Sequence, residues 1–188
     1  MRQGQGKYPG KIPSIWLMTD ERVADADLLR TIVRLPRGAA IVLRHYGLPE
    51  AARHDLFRRV KRAGRSRHVI VLLAGDARLA RAWGADGHHG FSLGRESRKP
   101  WLHSVPIHNH RELLAAQRAG AEAVLISPLF ATRSHPGARP LGAFRFAALA
   151  RASGMAVIAL GGIRPRHAAL VRRLGASGYA AIDGLVRR

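Results

Sequence analysis

The sequence contains no cysteine, which excludes disulfide frameworks, thiolate zinc sites, iron–sulfur clusters and cysteine nucleophiles. It also lacks any apolar run approaching the ~18 residues of a membrane helix. Residues 1–10 are polar and glycine-rich, unlike the apolar centre of a secretory signal. These absences predict a soluble cytoplasmic protein, without membrane contact, whose chemistry depends on other side chains.

Acidic residues are scarce, because 12 Asp and Glu stand against 32 Lys and Arg and give a formal charge of +20. The positive electrostatic field of such a protein attracts polyanions, including nucleic acids and phosphorylated metabolites. The arginines are scattered through helical stretches, for example at Arg58, Arg62 and Arg172, and are not collected in one tail. This distribution favours solvated helix faces. Nucleic-acid binding through the basic surface is the less favoured alternative.

Eight apolar segments of strand length recur along the chain. The 188 residues, 47% of them hydrophobic, suit a single domain over residues 1–188, with residues 1–14 as an N-terminal extension. Several segments, such as the run from Val69 to Leu73, are continuously apolar, as in parallel strands buried on both faces. The predicted strands are 15–20, 39–44, 68–75, 85–90, 101–107, 121–128, 155–162 and 178–183.

Most segments between these strands have helical periodicity. In segment 49–63, for example, Ala52, Leu56 and Val60 share one face. The predicted helices are 26–35, 49–63, 76–82, 109–119, 143–152 and 165–174. Repeated strand–helix units predict a small α/β protein with the (β/α)8 TIM barrel fold. A doubly wound open sheet is built from the same units, but the count of eight strands favours the barrel. The helices after strands 4 and 8 are weak, because segment 91–100 is short and polar and few residues follow strand 8.

Active sites of such barrels lie at the carboxyl ends of the strands. After the seventh strand, Gly161-Gly162 precedes a helix whose first turn contains Pro165. Glycines allow close approach of the backbone, and free N–H groups at a helix N-terminus favour anions. The pair predicts a phosphate-binding loop, while a tight turn without a ligand is an equally good interpretation of these residues alone.

Two further features carry candidate polar groups. Segment 127–137 is a long loop that resembles a lid, and its Thr132, Arg133 and Ser134 are donors suited to phosphate; a loop without function is the alternative. Asp76 ends the third strand, where it could hold Mg²⁺ on a diphosphate or cap the next helix.

The histidines suggest proton transfer more than metal binding. The pairs His88-His89 and His108-Asn109-His110 contain residue types that bind zinc or iron. Neighbouring strand residues face opposite sides, so His88 and His89 cannot both point into a barrel. One of the histidines is the better candidate for a general acid or base.

Several of these segments resemble the landmarks of a known family. They occur in order as Thr19-Asp20, Leu43-Arg44, Gly84-Ala85-Asp86-Gly87-His88-His89, Ser127-Pro128-Leu129-Phe130-Ala131-Thr132 and Gly161-Gly162-Ile163. The chain is similar over residues 15–186 to the thiamine phosphate synthase family, which also contains thiazole tautomerases. The resemblance implies a (β/α)8 barrel that joins hydroxymethylpyrimidine diphosphate to thiazole phosphate and releases pyrophosphate with Mg²⁺.

The resemblance also implies roles around the diphosphate. Arg44 resembles the arginine that binds pyrophosphate, and Asp76 resembles an aspartate that binds magnesium. Thr132 matches the first hydroxyl of the family's lid, with Ser134 in place of the second threonine. His135 stands where the family's lid lysine is expected, and with Arg44, Thr132 and Ser134 it would neutralise the charge of the leaving pyrophosphate.

Other matches concern the thiazole. Gly161 and Gly162 match the loop that binds the thiazole phosphate, and Asp183 stands where a phosphate-binding serine is expected after strand 8. His108 matches the histidine that follows strand 5. His89 or His108 would be the acid/base group if the reaction is a tautomerisation.

The chain also departs from the family pattern. A second magnesium carboxylate is missing after His89, because the sequence continues Gly90-Phe91-Ser92. The remaining replacements are Val42 for glutamine, Tyr46 for lysine, Gly75 for asparagine, Pro106 for serine, His135 for lysine and Asp183 for serine.

These features predict an enzyme, a thiamine phosphate synthase-type transferase that binds phosphorylated heterocycles and Mg²⁺. One alternative is a thiazole tautomerase-like enzyme. Another is a non-catalytic barrel that binds phosphorylated thiamine precursors. A homo-oligomer is possible, and the sequence does not indicate its size.

Overall fold

The computed structural model describes residues 8–91, 101–132, 137 and 139–186. Within them, eight parallel strands close into a barrel in sequence order. The strands are β1 (Ile15–Met18), β2 (Ala40–Leu43), β3 (Ile70–Ala74), β4 (Gly87–His89), β5 (Leu102–Ile107), β6 (Ala123–Ile126), β7 (Ala156–Ala159) and β8 (Gly178–Ala181). Each lies inside its predicted range. Because β1 also pairs with β8, at Leu17 and Ala181, the predicted (β/α)8 barrel is confirmed and the open sheet is excluded.

Helices connect most of the strands. They are α1 (Asp25–Ile32), α2 (Glu50–Gly64), α3 (Ala77–Ala82), α4 (His110–Arg118), α5 (Gly142–Ala152) and α6 (Ala168–Arg173), with 3-10 turns at Arg65–Arg67 and Pro165–His167. The helix predicted over 165–174 is therefore two elements. Its first turn is tighter because the N–H of His167 bonds to the carbonyl of Arg164, three residues earlier, at 2.9 Å.

Two other helix predictions meet the structure only in part. The helix predicted over 26–35 ends at Ile32, since the N–H groups of Arg34 and Leu35 bond three residues back and Pro36 follows. The weak helix after strand 4 lies mostly outside the described residues. After β8, residues 182–186 form turns.

Alternation along the strands divides the core into two layers. Inside the barrel, Trp16, Val42 and Leu72 belong to one buried cluster. Between the strands and the helices, residues such as Leu17, Leu43 and Leu73 belong to another. The barrel interior is therefore filled with side chains, and a ligand has room only beyond the ends of the strands.

The N-terminal segment covers the amino end of the barrel. Tyr8 and Ile12 pack against the interior cluster, and Trp16 Nε1 donates to the carbonyl of Pro13 at 2.6 Å. The active site is therefore sought at the carboxyl ends of the strands. Among the described residues, no helix has both the length and the apolar character required to cross a membrane.

Candidate active site

A cavity of about 340 Å³ lies at the carboxyl ends of the strands, and we call it the mouth cavity. Its walls come mainly from the segments after β6, β7 and β8, with contributions from the ends of β2 and β5. Its volume lies within the range of small-molecule sites. Six of the residues predicted from the sequence line it together: Arg44, His108, Thr132, Gly161, Gly162 and Asp183.

The glycine pair forms a close contact with the segment after β6. Gly161 has a φ of +98° and Gly162 a φ of +64°, both in the left-handed region. A Cβ on Gly161 would lie 2.6 Å from Pro128 Cα, and one on Gly162 would lie 2.5 Å from the Ala131 carbonyl oxygen. The N–H of Leu129 donates to the carbonyl of Leu160 at 2.8 Å and joins the two segments. Glycine is therefore required here by packing, with or without a ligand.

The same turn leaves donors beside the mouth cavity. Within the described part of the chain, the N–H groups of Gly162 and Ile163 bond to no other group. The N–H of Arg164 is less available, because His167 Nδ1 accepts it at 3.2 Å. Two backbone donors next to the Arg164 side chain, which also lines the mouth cavity, could hold an anionic group.

We expect Gly162→Ala to lower the free energy of unfolding by about 2–3 kcal/mol, because a left-handed alanine is strained and its methyl group overlaps Ala131. Urea unfolding at neutral pH measures the change. Gly154→Ala is the matched control, since its Cβ would have no atom within 4 Å. Equal stability of the two variants would mean that the segments after β6 and β7 separate without cost.

Arg44 is held at the rim by the end of β1. Its Nε donates to the Thr19 carbonyl at 2.7 Å and its Nη2 to Asp20 Oδ2 at 2.9 Å. Arg22 Nε donates to the other oxygen of Asp20 at 2.7 Å. The hydrogen bond from Arg22, with the charge of Arg44 adding to it, outweighs burial and lowers the pKa of Asp20 to about 2. Asp20 therefore orients Arg44 and neutralises part of its charge.

His108 forms a pair with a carboxylate on α4. Its Nδ1 lies 2.9 Å from Glu112 Oε2, and its backbone N–H donates to the same oxygen at 2.7 Å. Asn109 caps α4 and donates to Glu112 Oε1 at 2.8 Å, so both carboxylate oxygens are fixed. Burial raises the pKa of Glu112, but hydrogen bonds from His108 and Asn109 outweigh it and lower the pKa overall. The pair therefore fixes the orientation of the His108 imidazole at the mouth cavity.

His89 and Asp76 do not line the mouth cavity. His89 is buried inside the barrel, where its Nδ1 lies 3.0 Å from Ser104 Oγ. Burial lowers its pKa to about 3, and the positive charge of Arg44 acts in the same direction. Asp76 caps α3, because its side chain accepts the N–H of Arg78 at 2.6 Å.

The carboxylates offer limited support for Mg²⁺. The described residues contain no group of three His, Asp or Glu side chains suited to a metal ion. Asp20 is bound by two guanidinium groups. Asp76 uses Oδ1 as a helix cap, so its Oδ2 is the carboxylate oxygen available for an ion shared with a diphosphate.

The predicted lid is described only in part. Arg133, Ser134 and His135 lie outside the described residues. Before them, Leu129 is fully buried and Phe130 packs against the core between strands and helices, so the segment that begins the lid is anchored.

The replaced family positions have different surroundings. Val42 is buried in the barrel interior, whereas Tyr46 is 63% exposed and its ring lies 5.3 Å from the Arg53 guanidinium. Asp183 lines the mouth cavity. The hydrogen bond that Arg22 makes to Asp20 raises the pKa of Arg22, and the negative charge of Asp183 raises it further. The negative charge of Asp183 is thus near a cation rather than isolated.

Two contributors were not predicted as site residues: Asp20, which orients Arg44, and Glu112, which orients His108. Their sequence signals were weak. Asp20 closes β1, and Glu112 stands three residues after the helix cap Asn109, which is the spacing of a capping box.

Comparison with known proteins gives consistent matches. A family model described as thiamine monophosphate synthase matches residues 15–185. The thiamine-phosphate synthase of Roseiflexus castenholzii is 30% identical over 190 residues, which cover 95% of this chain and 83% of that protein. That of Chloroflexus aurantiacus is 33% identical over 133 residues, which cover 67% of this chain and 60% of that protein. Among solved structures, thiamine phosphate pyrophosphorylase from Pyrococcus furiosus superposes with a TM-score of 0.73 at 19% identity. The match covers 90% of this chain and 85% of that one, and it supports the barrel fold of this chain.

Proposed function

Because the chain belongs to the thiamine monophosphate synthase family, we propose that it joins hydroxymethylpyrimidine diphosphate to thiazole phosphate and releases pyrophosphate. The supporting observation is the mouth cavity, where Arg44, Gly162 and Thr132 meet at the carboxyl end of the barrel. The similar thiamine-phosphate synthases are transferases, which supports the prediction of an enzyme of that class.

In this proposal the carbon–oxygen bond between the pyrimidine methylene and the diphosphate breaks, and its electron pair leaves with pyrophosphate. The thiazole nitrogen then donates its lone pair to the methylene carbon and becomes positively charged. Arg44 stabilises the charge that develops on the leaving pyrophosphate, since donors already in position are most effective there.

The thiazole phosphate would occupy the other wall of the mouth cavity. The N–H groups of Gly162 and Ile163 would donate to its oxygens, and Arg164 would supply positive charge. Both reactants are then bound in one cavity, and this brings the thiazole nitrogen close to the pyrimidine methylene carbon.

Magnesium, when bound, would neutralise diphosphate charge. Asp76 is the candidate carboxylate. Because it does not line the mouth cavity, its Oδ2 would hold the ion on diphosphate oxygens that extend toward the end of β3. Asp20 is unsuited to this role, because its carboxylate already accepts hydrogen bonds from Arg22 and Arg44.

The test is to incubate purified protein with both heterocycles and Mg²⁺ and to quantify thiamine phosphate chromatographically, with a no-enzyme control. We expect product above the control. Product equal to the control, despite measurable binding of thiazole phosphate, would reject the synthase activity and leave a barrel that binds phosphorylated precursors.

The His108–Glu112 pair favours a second candidate, proton transfer on a phosphorylated thiazole. The imidazole is held by Glu112 on one side and lines the mouth cavity. Hydrogen exchange of thiazole phosphate in D₂O, followed by NMR, tests this reaction in the same preparation. Exchange no faster with the protein than in buffer would eliminate it.

A further inference from the structure

A second concave surface lies near the amino ends of the strands, away from the mouth cavity. We call it the basal groove. It is bounded by the C-terminal half of α2, the end of α3 and the segments that lead into β3, β4 and β5. Its volume is about 1290 Å³. The family reaction assigned to the mouth cavity makes no use of it.

The charged side chains that line the basal groove are mostly cations. Its cations are Arg58, Lys61, Arg62, Arg65 and Arg81, and its carboxylate is Asp86. Lys61 pairs with Asp86 at 2.8 Å, and Arg58 pairs with Asp55 on the exposed side of α2. Within the described part of the chain, Arg62 and Arg65 have no ion-pair partner. The protein therefore leaves this positive charge to be neutralised from outside.

The arrangement on α2 is unfavourable without an external anion. Arg58 and Arg62 are four residues apart, as are Lys61 and Arg65, so like charges are neighbours on the helix surface. From Arg58 to Arg65 the cations extend about 10 Å along the axis. An anion with charges spaced along its length would remove the repulsion at several positions together.

Aromatic side chains lie among these cations. Trp101, Trp83 and Tyr8 line the basal groove, and the Arg81 guanidinium carbon lies 4.3 Å from the centre of the Trp101 ring. Arg81 Nε and Trp101 Nε1 are shielded from solvent and have no hydrogen-bond partner among the described residues. Two donors without acceptors stand side by side, which is unusual in a folded protein.

The size of the basal groove argues for a chain rather than a small molecule, because its volume exceeds the ~300–1,000 Å³ of ordinary small-molecule sites. A cationic groove with interspersed aromatic rings is typical of single-stranded nucleic-acid binding. We propose that the basal groove binds single-stranded nucleic acid. Backbone phosphates would lie on Arg62 and Arg65, and on Arg58 in competition with Asp55, and bases would lie beside the aromatic rings that line the groove.

The test measures fluorescence anisotropy of a labelled 12-nucleotide oligothymidylate at several salt concentrations. The groove variant is Arg58→Gln/Arg62→Gln/Arg65→Gln. The control is Arg145→Gln/Arg172→Gln/Arg173→Gln, which removes the same charge from exposed positions on α5 and α6. We expect the groove variant to bind at least tenfold more weakly and its log–log salt slope to fall by about 2. The control should bind as the wild type does.

Other outcomes overturn the proposal. Equal weakening of both triple variants would show binding by net charge alone. Absence of binding at 50 mM salt, or equally effective competition by inorganic tripolyphosphate at the same phosphate concentration, would remove the single strand as the ligand. Thermal melting of each variant checks that it is folded. Synthase activity is measured in both variants as well, because none of the substituted residues lines the mouth cavity, so a loss of nucleic-acid binding can be distinguished from a failure of the proposed synthase reaction.

Discussion

Lowering the pH from 7 to 5 is expected to reduce the free energy of unfolding by about 4 kcal/mol, through two histidines that are buried without charge. Burial lowers the pKa of His88 and of His89 from the ordinary 6.5 to about 3. Only 4% of His88 and 5% of His89 is exposed. Neither ring nitrogen of His88 has a hydrogen-bond partner in the described part of the chain, so nothing there stabilises its proton.

The sign follows from proton binding in the two states. Between pH 6.5 and 3, each histidine is protonated in the unfolded chain and neutral in the native one. Unfolding therefore takes up protons, and stability is complete above the unfolded pKa and is lost as the pH falls. Each proton corresponds to about 1.4 kcal/mol per pH unit. Burial also lowers the pKa of His45 and His103, which act in the same direction.

Urea unfolding at pH 7, 6 and 5 measures this dependence, and two variants assign it. His88→Phe preserves an aromatic ring beside His103, whose centre is 4.1 Å away, and should reduce the pH slope by one proton. His110→Gln, at an exposed position on α4, is the control for replacing a histidine at the surface. An unchanged slope in His88→Phe would mean that His88 is protonated in the native protein.

The fold could be predicted from the sequence because its main signal is local. Apolar runs such as that of β3 need no partner to be recognised, and their number decided between a barrel and an open sheet. Side-chain exposure was less predictable. On α2, the predicted apolar face included Ala52, but Ala52 is exposed and Arg53 is buried in its place. Arg53 Nη2 donates to the carbonyl of Ala74, at the end of β3, at 2.6 Å. The helical periodicity of α2 cannot predict a contact with a residue of another element.

The candidate site was predictable where chain order places residues at strand ends. Arg44, Gly162 and Asp183 follow different strands, and barrel closure brings them to one mouth cavity. Interactions across elements were not predictable in this way. The position of Arg44 depends on Asp20, which lies 24 residues earlier, and only the structure brings their side chains to 2.9 Å. The basal groove likewise combines segments that are far apart in the chain, and the sequence alone favoured solvated faces for the arginines of α2.

Arg44→Gln is expected to lower kcat/KM for thiamine phosphate formation by about 10²–10³-fold, the usual cost of removing one positioned donor from a developing anion. Pyrophosphate should also inhibit the variant more weakly. The fold should persist, because Asp20 keeps its hydrogen bonds to Arg22 and glutamine retains an N–H donor. Steady-state kinetics with pyrophosphate as inhibitor, together with a urea unfolding curve, measure all three quantities.

Arg22→Gln is the matched control for this prediction. Both arginines donate to Asp20, but only Arg44 is among the residues that line the mouth cavity. If Arg44 contacts the leaving pyrophosphate, Arg22→Gln should cost much less in kcat/KM and leave inhibition by pyrophosphate nearly unchanged. Equal losses in the two variants would show that both arginines act through the carboxylate of Asp20. Arg44 would then be a positioning residue, and the leaving group would have to be stabilised elsewhere in the mouth cavity, with Arg164 as the remaining described arginine on its wall.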